Sequence, residues 1–281
     1  MIDLHLHTTA SDGRYTPSEL VARAHAAGIT TLSVTDHDTT GALDEVAEQA
    51  AAWGVACVSG IEITAVWRRK DVHVLGYFFD PRSVDLQAFL ASQRQDRVRR
   101  FRAMAVRVAE LGLPVDVDAL VEQSEQRSHQ SLGRPLLAEA LVAAGHVSNR
   151  REAFDRYLGD GCRAFVPRSG ASPEEVVAII AGAGGISSLA HPGLLGRDEL
   201  IAPMVRAGLH ALEAYHSKHT PETVRRYLAL AKRHGLAVSG GSDFHGDESH
   251  DAEGLGCIGL PDAAFEVLRS RTRLTGARRP S

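Results

Sequence analysis

The N-terminal stretch Ile2-Asp3-Leu4-His5-Leu6-His7 alternates apolar and polar positions, the period-two signature of a strand with one buried face. Ile2, Leu4 and Leu6 point one way, and Asp3, His5 and His7 the other. The period then lengthens. Leu20, Val21, Ala24 and Ala27 form the stripe of a helix that opens at Thr16-Pro17-Ser18-Glu19 and stops at Gly28. Thr16 supplies the cap, Pro17 suits the first turn, and Glu19 completes a capping box. Apolar runs at 31–35, 55–64, 72–79, 186–190, 209–215 and 236–240 predict six further strands. Helices are expected over 40–53, over 172–183 behind the cap Ser172-Pro173-Glu174-Glu175, and over 221–234.

The strand–helix alternation is interrupted once. Between His73 and His191 lie 117 residues, where a crossover needs only ~10–20. Val98, Phe101, Ala105, Val108 and Leu111 make one helical stripe in this span, and shorter helices are expected over 117–123, 132–144 and 150–158. The pattern predicts an α/β fold: a closed or nearly closed (β/α)7 barrel built from residues 1–83 and 166–281, with an inserted helical subdomain over 84–165. Neither an internal repeat nor a low-complexity segment is evident.

Composition narrows the class. With 281 residues and 44% apolar content, the chain can bury a sizeable core. No apolar run approaches the ~18 residues of a membrane span, and Met1 leads directly into the first strand. A soluble, cytoplasmic protein without a signal peptide is therefore expected. Cys57, Cys162 and Cys257 lack a C-x-x-C spacing, which fits a reducing compartment. The formal net charge of −4 gives no global basic field, yet residues 86–164 carry twelve Arg against ten Asp and Glu. An acidic body with a basic insert suits a metal-dependent enzyme acting on an anionic substrate.

Candidate chemistry recurs strand after strand. His5, His7 and Asp12, then His37, Glu62, His73, His191, and finally Asp243 and His245 stand at or near the C-terminal ends of predicted strands. In β/α barrels the loops converge on that face. A lone His-x-His on an edge strand needs no metal. Six imidazoles and three carboxylates exceed what one tetrahedral ion requires and suffice for two or three, with Glu62 as a bridge. Paired divalent cations neutralise a phosphate ester, align its attacking and leaving groups and acidify water. Consistently, the sequence has neither a Walker loop nor a G-x-S-x-G elbow.

His5-x-His7 with Ser11-Asp12-Gly13, then Thr35-Asp36-His37-Asp38, Gly60-Ile61-Glu62, His73, Ala190-His191-Pro192 and Ser242-Asp243-Phe244-His245 together resemble the PHP (polymerase and histidinol phosphatase) family. The resemblance implies a distorted seven-stranded barrel that holds two or three metal ions and hydrolyses phosphate esters. It groups His5, His7, Glu62 and Asp243 on one ion, Glu62, His73 and His191 on a second, and Asp12, His37 and His245 on a third. Some members have a histidine where Asp12 stands. An oxygen ligand there favours Mn²⁺ or Fe²⁺, so Mn²⁺ is the expected ion, with Fe²⁺ and Zn²⁺ as alternatives.

Specificity is expected from residues outside this set. Ser131-Leu132-Gly133-Arg134-Pro135 places an arginine at a helix start, where guanidinium and backbone N–H groups can jointly bind phosphate. Ser131 and Arg134 are thus candidate substrate contacts, although an ordinary helix cap would read the same way. Arg94, Arg97, Arg99, Arg100 and Arg102 are expected to form mainly a solvated face. His216, Ser217, Lys218 and His219 follow the sixth strand at the same mouth, and Lys218 is one of three lysines. Lys218 and His219 are expected to touch substrate, and His216 to protonate a leaving alkoxide. The remaining histidines (His25, His129, His146, His210, His234 and His250) are expected to be structural or superficial. The insert with its Gly133-Arg134-Pro135 start resembles the PHP branch that removes the 3′-phosphate of nucleoside 3′,5′-bisphosphates. Relatives of that branch trim short 5′-phosphorylated single-stranded RNA. The resemblance implies a nucleotide substrate and no membrane, and names no protein partner. Histidinol-phosphate phosphatase and a non-catalytic PHP-like scaffold are the alternatives.

Overall fold

Among the described residues, eight strands fall into two sheets whose edges meet at a set of histidines and carboxylates. The computed structural model describes residues 1–126, 132–246 and 254–272. The strands are β1 (Ile2–Leu6), β2 (Thr31–Val34), β3 (Ala56–Cys57), β4 (Gly60–Trp67), β5 (Lys70–Tyr77), β6 (Ile186–Leu189), β7 (Ala211–His216) and β8 (Ala237–Gly241). One sheet has the order β1-β2-β3 and is parallel. The other runs β4-β5-β6-β7-β8.

Two departures from the expected pattern have local causes. The run at 55–64 is two strands, because Val58 and Ser59 leave β3 and let β4 start at Gly60 in the other sheet. β5 is antiparallel to both β4 and β6, which breaks a strict parallel barrel order. The cause is the link between β4 and β5, the two residues Arg68 and Arg69, with φ of 47° and 66°. Positive φ at both central positions defines the tight hairpin whose twist matches its strands. Arg-Arg is not the Asn-Gly pair that would advertise such a turn.

Helices cover the sheets. α1 (Pro17–Ala26) and α2 (Leu43–Trp53) pack Leu20, Val21, Ala24, Val46 and Ala50 against Leu32 and Val34 of β2. The capping box forms as the sequence implies: the Glu19 N–H donates to Thr16 Oγ1 at 3.3 Å, and the Thr16 N–H to Glu19 Oε2 at 2.9 Å. α3 (Val84–Glu110) is the longest helix described and serves two cores. Leu86 and Leu90 join the core under β4–β7, whereas Phe101, Met104, Ala105 and Val108 join a separate cluster. That cluster adds Val121 from α4 (Val117–Gln126) and Leu137 and Leu141 from α5 (Arg134–Ala143). Ala153 and Leu158 complete it, from α6 (Arg150–Ala153) and the π-turn Phe154–Leu158 that continues it. The chain returns through α7 (Pro173–Gly182), α8 (Pro192–Leu195), α9 (Ile201–Arg206), α10 (Pro221–His234) and α11 (Asp262–Ser270). No described helix is long and apolar enough to cross a membrane.

The two sheets are joined at both edges. At one, the His7 N–H donates to Phe244 O (3.0 Å) and the Asp243 N–H to His5 O (2.9 Å), where β1 meets the end of β8. At the other, the Asp38 N–H donates to Glu62 O (2.9 Å) and the Glu62 N–H to Asp36 O (3.3 Å). The first seam depends on a glycine. A Cβ on Gly241 would lie 2.3 Å from the backbone nitrogen of His5 and 2.5 Å from its Cβ. Gly241→Ala is therefore predicted to push β8 off β1 at an overpacking cost of about 1–3 kcal/mol. The expected readout is a lower Tm and a weaker metal load, by thermal denaturation and metal analysis. A variant as stable as the parent would show that the seam yields freely.

Candidate metal centre

β1 carries His5 and leads directly into His7, both fully buried. Glu62, the third of the eight residues of β4, is also fully buried and lies at the centre of the site. Its Oε2 is 3.2 Å from His5 Nε2, 3.3 Å from His7 Nε2 and 3.2 Å from His37 Nδ1. Its Oε1 is 2.9 Å from His73 Nδ1 and 3.1 Å from His191 Nε2. Asp243 Oδ1 closes the first group at 3.3 Å from both His5 Nε2 and His7 Nε2. Asp12, on the turn after β1, faces His37 Nε2 at 3.6 Å and His245 Nε2 at 3.4 Å.

These residues form three overlapping groups whose donor atoms lie within 4.8 Å of one another: His5, His7, Glu62 and Asp243; His37, Glu62 and His73; and His7, Asp12, His37 and His245. The sequence-predicted ligands thus converge, with His37 beside Glu62 and His73, and His7 beside Asp12 and His245. Ligands at ~2.0–2.2 Å from a tetrahedral ion stand about 3.4 Å apart, close to the separations around Glu62. Both ring nitrogens of His7, Nδ1 of His37 and Nδ1 of His73 are buried without a hydrogen bond. Lone pairs crowded at such distances yet not aligned on donors suit convergence on cations. The residues therefore fit several divalent ions.

Charge supports the same conclusion. Burial pushes the His7 imidazole down, but Asp243 and Glu62 beside it more than reverse this and hold it at about 10. At His37 the same burial prevails over Glu62 and Asp12 and lowers the imidazole to about 3. Asp12 is opposed by burial, yet His37, His245 and His7 keep it below the ordinary carboxylate range. The buried carboxylate charge that holds a proton on His7 would hold a divalent cation in its place, with release of that proton.

Carboxylates outside the ligand set shape the site. Asp36 is buried and accepts from the Thr8 N–H (2.7 Å), Thr8 Oγ1 (2.6 Å) and Ser11 Oγ (2.7 Å), which fixes the turn presenting Asp12. Asp3 Oδ1 accepts from the His5 and Ser242 N–H groups at 3.2 and 2.9 Å. Burial raises its carboxyl to about 6. Glu213, fully buried on β7, was not singled out by the sequence pattern. Its Oε1 accepts from His5 Nδ1 at 2.8 Å, and its Oε2 from the His191 N–H at 2.6 Å. The signal was present: an acidic residue inside the apolar run Ala211-Leu212-Glu213-Ala214.

The expected substrate residues are placed unevenly. Ser131, His129 and His250 lie outside the described residues. Arg134, at the start of α5, is paired with Asp160 at 2.7 Å and lies over the rings of Phe154 and Phe165. Lys218 is exposed. His219 turns inward instead of toward a ligand: its Nδ1 donates to Ala214 O (3.0 Å) and its Nε2 accepts the Gly193 N–H (3.2 Å). Both ring nitrogens hold the backbone. His216 is buried at the cluster, with Nδ1 accepting the Lys218 N–H (3.1 Å) and Nε2 3.4 Å from Asp243 Oδ2.

The arginine-rich face of α3 is only partly solvated. Arg99 is well exposed and pairs with Asp96, and Arg102 pairs with Asp118. Arg97, by contrast, is 12% exposed and pairs with buried Asp38, whose other oxygen accepts the Thr64 N–H at 2.8 Å. Asp38, Gln93, Asp96, Arg97, Arg100, Arg168 and Ser169 line one small pocket. Burial and the neighbouring Arg168 charge lower both Arg97 and Arg100 to about 10. The expectation of a solvated face fails at Arg97 because α3 lies against the sheet edge there.

A mixed α/β structure with such a ligand cluster belongs to the class of metal-dependent phosphoesterases. The description "PHP domain" matches residues 3–133. A 3′,5′-nucleoside bisphosphate phosphatase of Chromobacterium violaceum is 36% identical over 87% of either chain. A 5′-3′ exoribonuclease of Haemophilus influenzae is 35% identical over 86% of this chain and 89% of its own. A proposed metal-dependent phosphoesterase of Bifidobacterium adolescentis superposes with a TM-score of 0.83 at 35% identity, over 96% of each chain. The chain belongs to the PHP family.

Glu62 touches five imidazoles, whereas Asp12 sits at the rim with its side chain 44% exposed. Glu62→Gln is accordingly predicted to lower kcat by about 10²–10³-fold, the scale for loss of a preorganised electrostatic group, and to lower metal stoichiometry. Asp12→Asn is expected to cost less on both counts. Parallel kinetics and metal analysis decide the order. A greater loss in Asp12→Asn would make the rim group the central one.

Proposed function

We propose that this chain hydrolyses the 3′-phosphate of nucleoside 3′,5′-bisphosphates, converting pAp to AMP and phosphate. The observation that carries the reading is the arginine-lined pocket next to the carboxylate–imidazole cluster. Arg97 links the two through Asp38, the residue after His37. A substrate with one phosphate at the cluster would find a site for a second anion in Arg97, Arg100, Arg168 and, further along, Arg134. In this reading residues 1–83 and 166–281 form a distorted seven-stranded barrel, with β3 and β4 counted as one interrupted strand, and 84–165 an inserted helical subdomain. The edge bridges between the sheets and the separate core around Phe101 and Leu137 support that division.

His5, His7, Asp12, His37, Glu62, His73, His191, Asp243 and His245 would hold two or three divalent ions, with Mn²⁺ favoured by three carboxylates among nine ligands. When bound, these ions supply charge neutralisation and an acidified water. The chain's own residues do the rest. Arg134 and Arg168 bind the phosphate that does not react and so fix where the 3′-phosphorus lies. His216 accepts the Lys218 N–H at Nδ1 and therefore carries its proton on Nε2, the nitrogen facing the cluster. With Nδ1 used as an acceptor the ring is neutral, so this N–H is in position to donate a hydrogen bond to the leaving 3′-oxygen, and the proton that oxygen gains comes from water. Lys218 is assigned to the rim, and Ser131, outside the described residues, to substrate contact. His219 supports the loop.

A 5′-phosphorylated RNA end presents the same anchor and the same 3′-phosphorus. Breaking the same bond, with the first nucleotide's 3′-oxygen as leaving group, releases a nucleoside 5′-monophosphate and leaves the phosphate on the shortened RNA as its new 5′ end, so trimming from that end is the same chemistry. Histidinol phosphate carries one phosphate and an amine, which a pocket of arginines repels. A non-catalytic scaffold has no need of a complete ligand set. Phosphate release by the Mn²⁺-loaded protein from pAp, histidinol phosphate and short 5′-phosphorylated RNA tests the reading. Turnover of pAp, abolished by chelation and restored by Mn²⁺, is expected. Preference for histidinol phosphate would overturn it.

The anchor makes a separate prediction. Charge-assisted bonds contribute about 1.5–3 kcal/mol, so Arg134→Ala and Arg168→Ala should each reduce kcat/KM on pAp roughly 10- to 100-fold. Hydrolysis of p-nitrophenyl phosphate, which has no second phosphate, should hardly change. Equal losses on both substrates would place these arginines at the reacting phosphate or in the fold.

A further inference from the structure

We propose that Glu213 is the positioning residue for two ligands at once: it fixes the tautomer of His5 and holds the backbone that carries His191. The inference rests on the metal-site reading above and concerns how that site is kept in shape. Glu213 is fully buried on β7, and each of its carboxylate oxygens has one donor. Oε1 takes the Nδ1–H of His5 at 2.8 Å and Oε2 the backbone N–H of His191 at 2.6 Å. An acceptor-only carboxylate at Nδ1 requires the proton there, so Nε2 is the nitrogen left for a cation, which would replace any proton that the carboxylates facing it hold there. That nitrogen is the one 3.2 Å from Glu62 Oε2 and 3.3 Å from Asp243 Oδ1.

The second contact acts on conformation. His191 has φ of 27° and ψ of 54°, in the left-handed region that side chains other than glycine rarely adopt. Its Nε2 reaches Glu62 Oε1 from that conformation. The bond from its N–H to Glu213 is one of the contacts that hold it. One carboxylate on β7 thus couples a ligand on β1 to a ligand after β6, which approach different oxygens of Glu62.

Glutamine is the discriminating substitution. It keeps the size of Glu213 but offers one acceptor and one donor to two donors. If the amide NH₂ faces His5, the ring proton must move to Nε2 and block the ligand atom. If it faces His191, the backbone bond is lost. Glu213→Asp retains two acceptors on a shorter stem and serves as the conservative control.

The experiment is a Mn²⁺ titration of metal-stripped protein, followed by calorimetry, for the parent, Glu213→Gln and Glu213→Asp. Tm is recorded for each, and the His5 tautomer is read by ¹⁵N-detected imidazole NMR of the proteins loaded with diamagnetic Zn²⁺, which takes the place of the proton on the ligating nitrogen. For Glu213→Gln the expected result is a folded protein with Mn²⁺ affinity reduced about 10- to 100-fold. Its His5 proton should move toward Nε2, and Glu213→Asp should recover part of the affinity. An unchanged Mn²⁺ affinity in Glu213→Gln would overturn the proposal. So would an Nε2–H tautomer of His5 in the parent. Should Glu213→Gln fail to fold, Glu213→Asp decides: parental affinity supports acceptor-based positioning, and loss of affinity without a tautomer change refutes it. A parent that binds no Mn²⁺ would sink the metal-site reading itself. A parent that binds Mn²⁺ but does not hydrolyse pAp would sink only the substrate assignment.

Discussion

A single buried carboxylate sets the arrangement of this molecule. Glu62 lies 2.9–3.3 Å from imidazole nitrogens of His5, His7, His37, His73 and His191, which come from or follow β1, β2, β5 and β6. A carboxylate fully withdrawn from water is costly unless positive charge surrounds it. Meeting that demand requires several strands to end at one place. The edge bonds between the two sheets lie at the same point: the Glu62 backbone exchanges hydrogen bonds with Asp36 and Asp38, and the His5 carbonyl accepts from Asp243. Assembly of the ligand cluster and joining of the sheets are therefore one structural event.

The same constraint extends to the helical region. Asp38 uses one carboxylate oxygen to hold the Thr64 N–H of β4 and the other to pair with Arg97 of α3. A helix whose far half is packed in a separate core is thereby tied to the residue after a ligand. Arg100 is similarly committed, its Nε donating to Val166 O at 2.8 Å. The positive charge of the pocket is held by fixed bonds, not by mobile side chains on a solvated face. Preorganised charge of that kind costs little reorganisation when an anion arrives.

Much of the site was legible because strand periodicity and ligand chemistry point to the same positions. His5 and His7 alternate with Ile2, Leu4 and Leu6; His37, His191, Asp243 and His245 follow apolar runs, and Glu62 and His73 lie inside them. What was not legible depends on contacts distant in sequence or on backbone geometry. Glu213 lies 208 residues from His5, and nothing local to β7 reveals its partner. The antiparallel β4–β5 pair rests on two arginines in left-handed conformation, a turn that sequence preference does not suggest. Arg97 and Arg99 are two positions apart on one helix, and only the path of α3 across the sheet edge buries one and exposes the other. His219 looked like a mouth residue by position, yet the proximity of Gly193 and Ala214 turns it into a backbone clamp.

Backbone conformation shows what holding this cluster costs. Asp38, His191 and Asp243 all have positive φ, at 54°, 27° and 57°, and all follow strands that feed the site. Residues other than glycine in sparsely populated regions cost about 1–3 kcal/mol each, and they persist only where the surroundings over-determine them. Here each donates its N–H to the site itself: Asp38 to Glu62 O at 2.9 Å, Asp243 to His5 O at 2.9 Å, and His191 to Glu213 Oε2 at 2.6 Å. The turn of the backbone and the inward direction of the side chain are fixed by the same bond. Substituting glycine at any of the three would relieve the strain but remove the side chain that the strain positions. Less strain in the fold and a complete cluster are therefore opposed at these positions, and the sequence has kept the cluster.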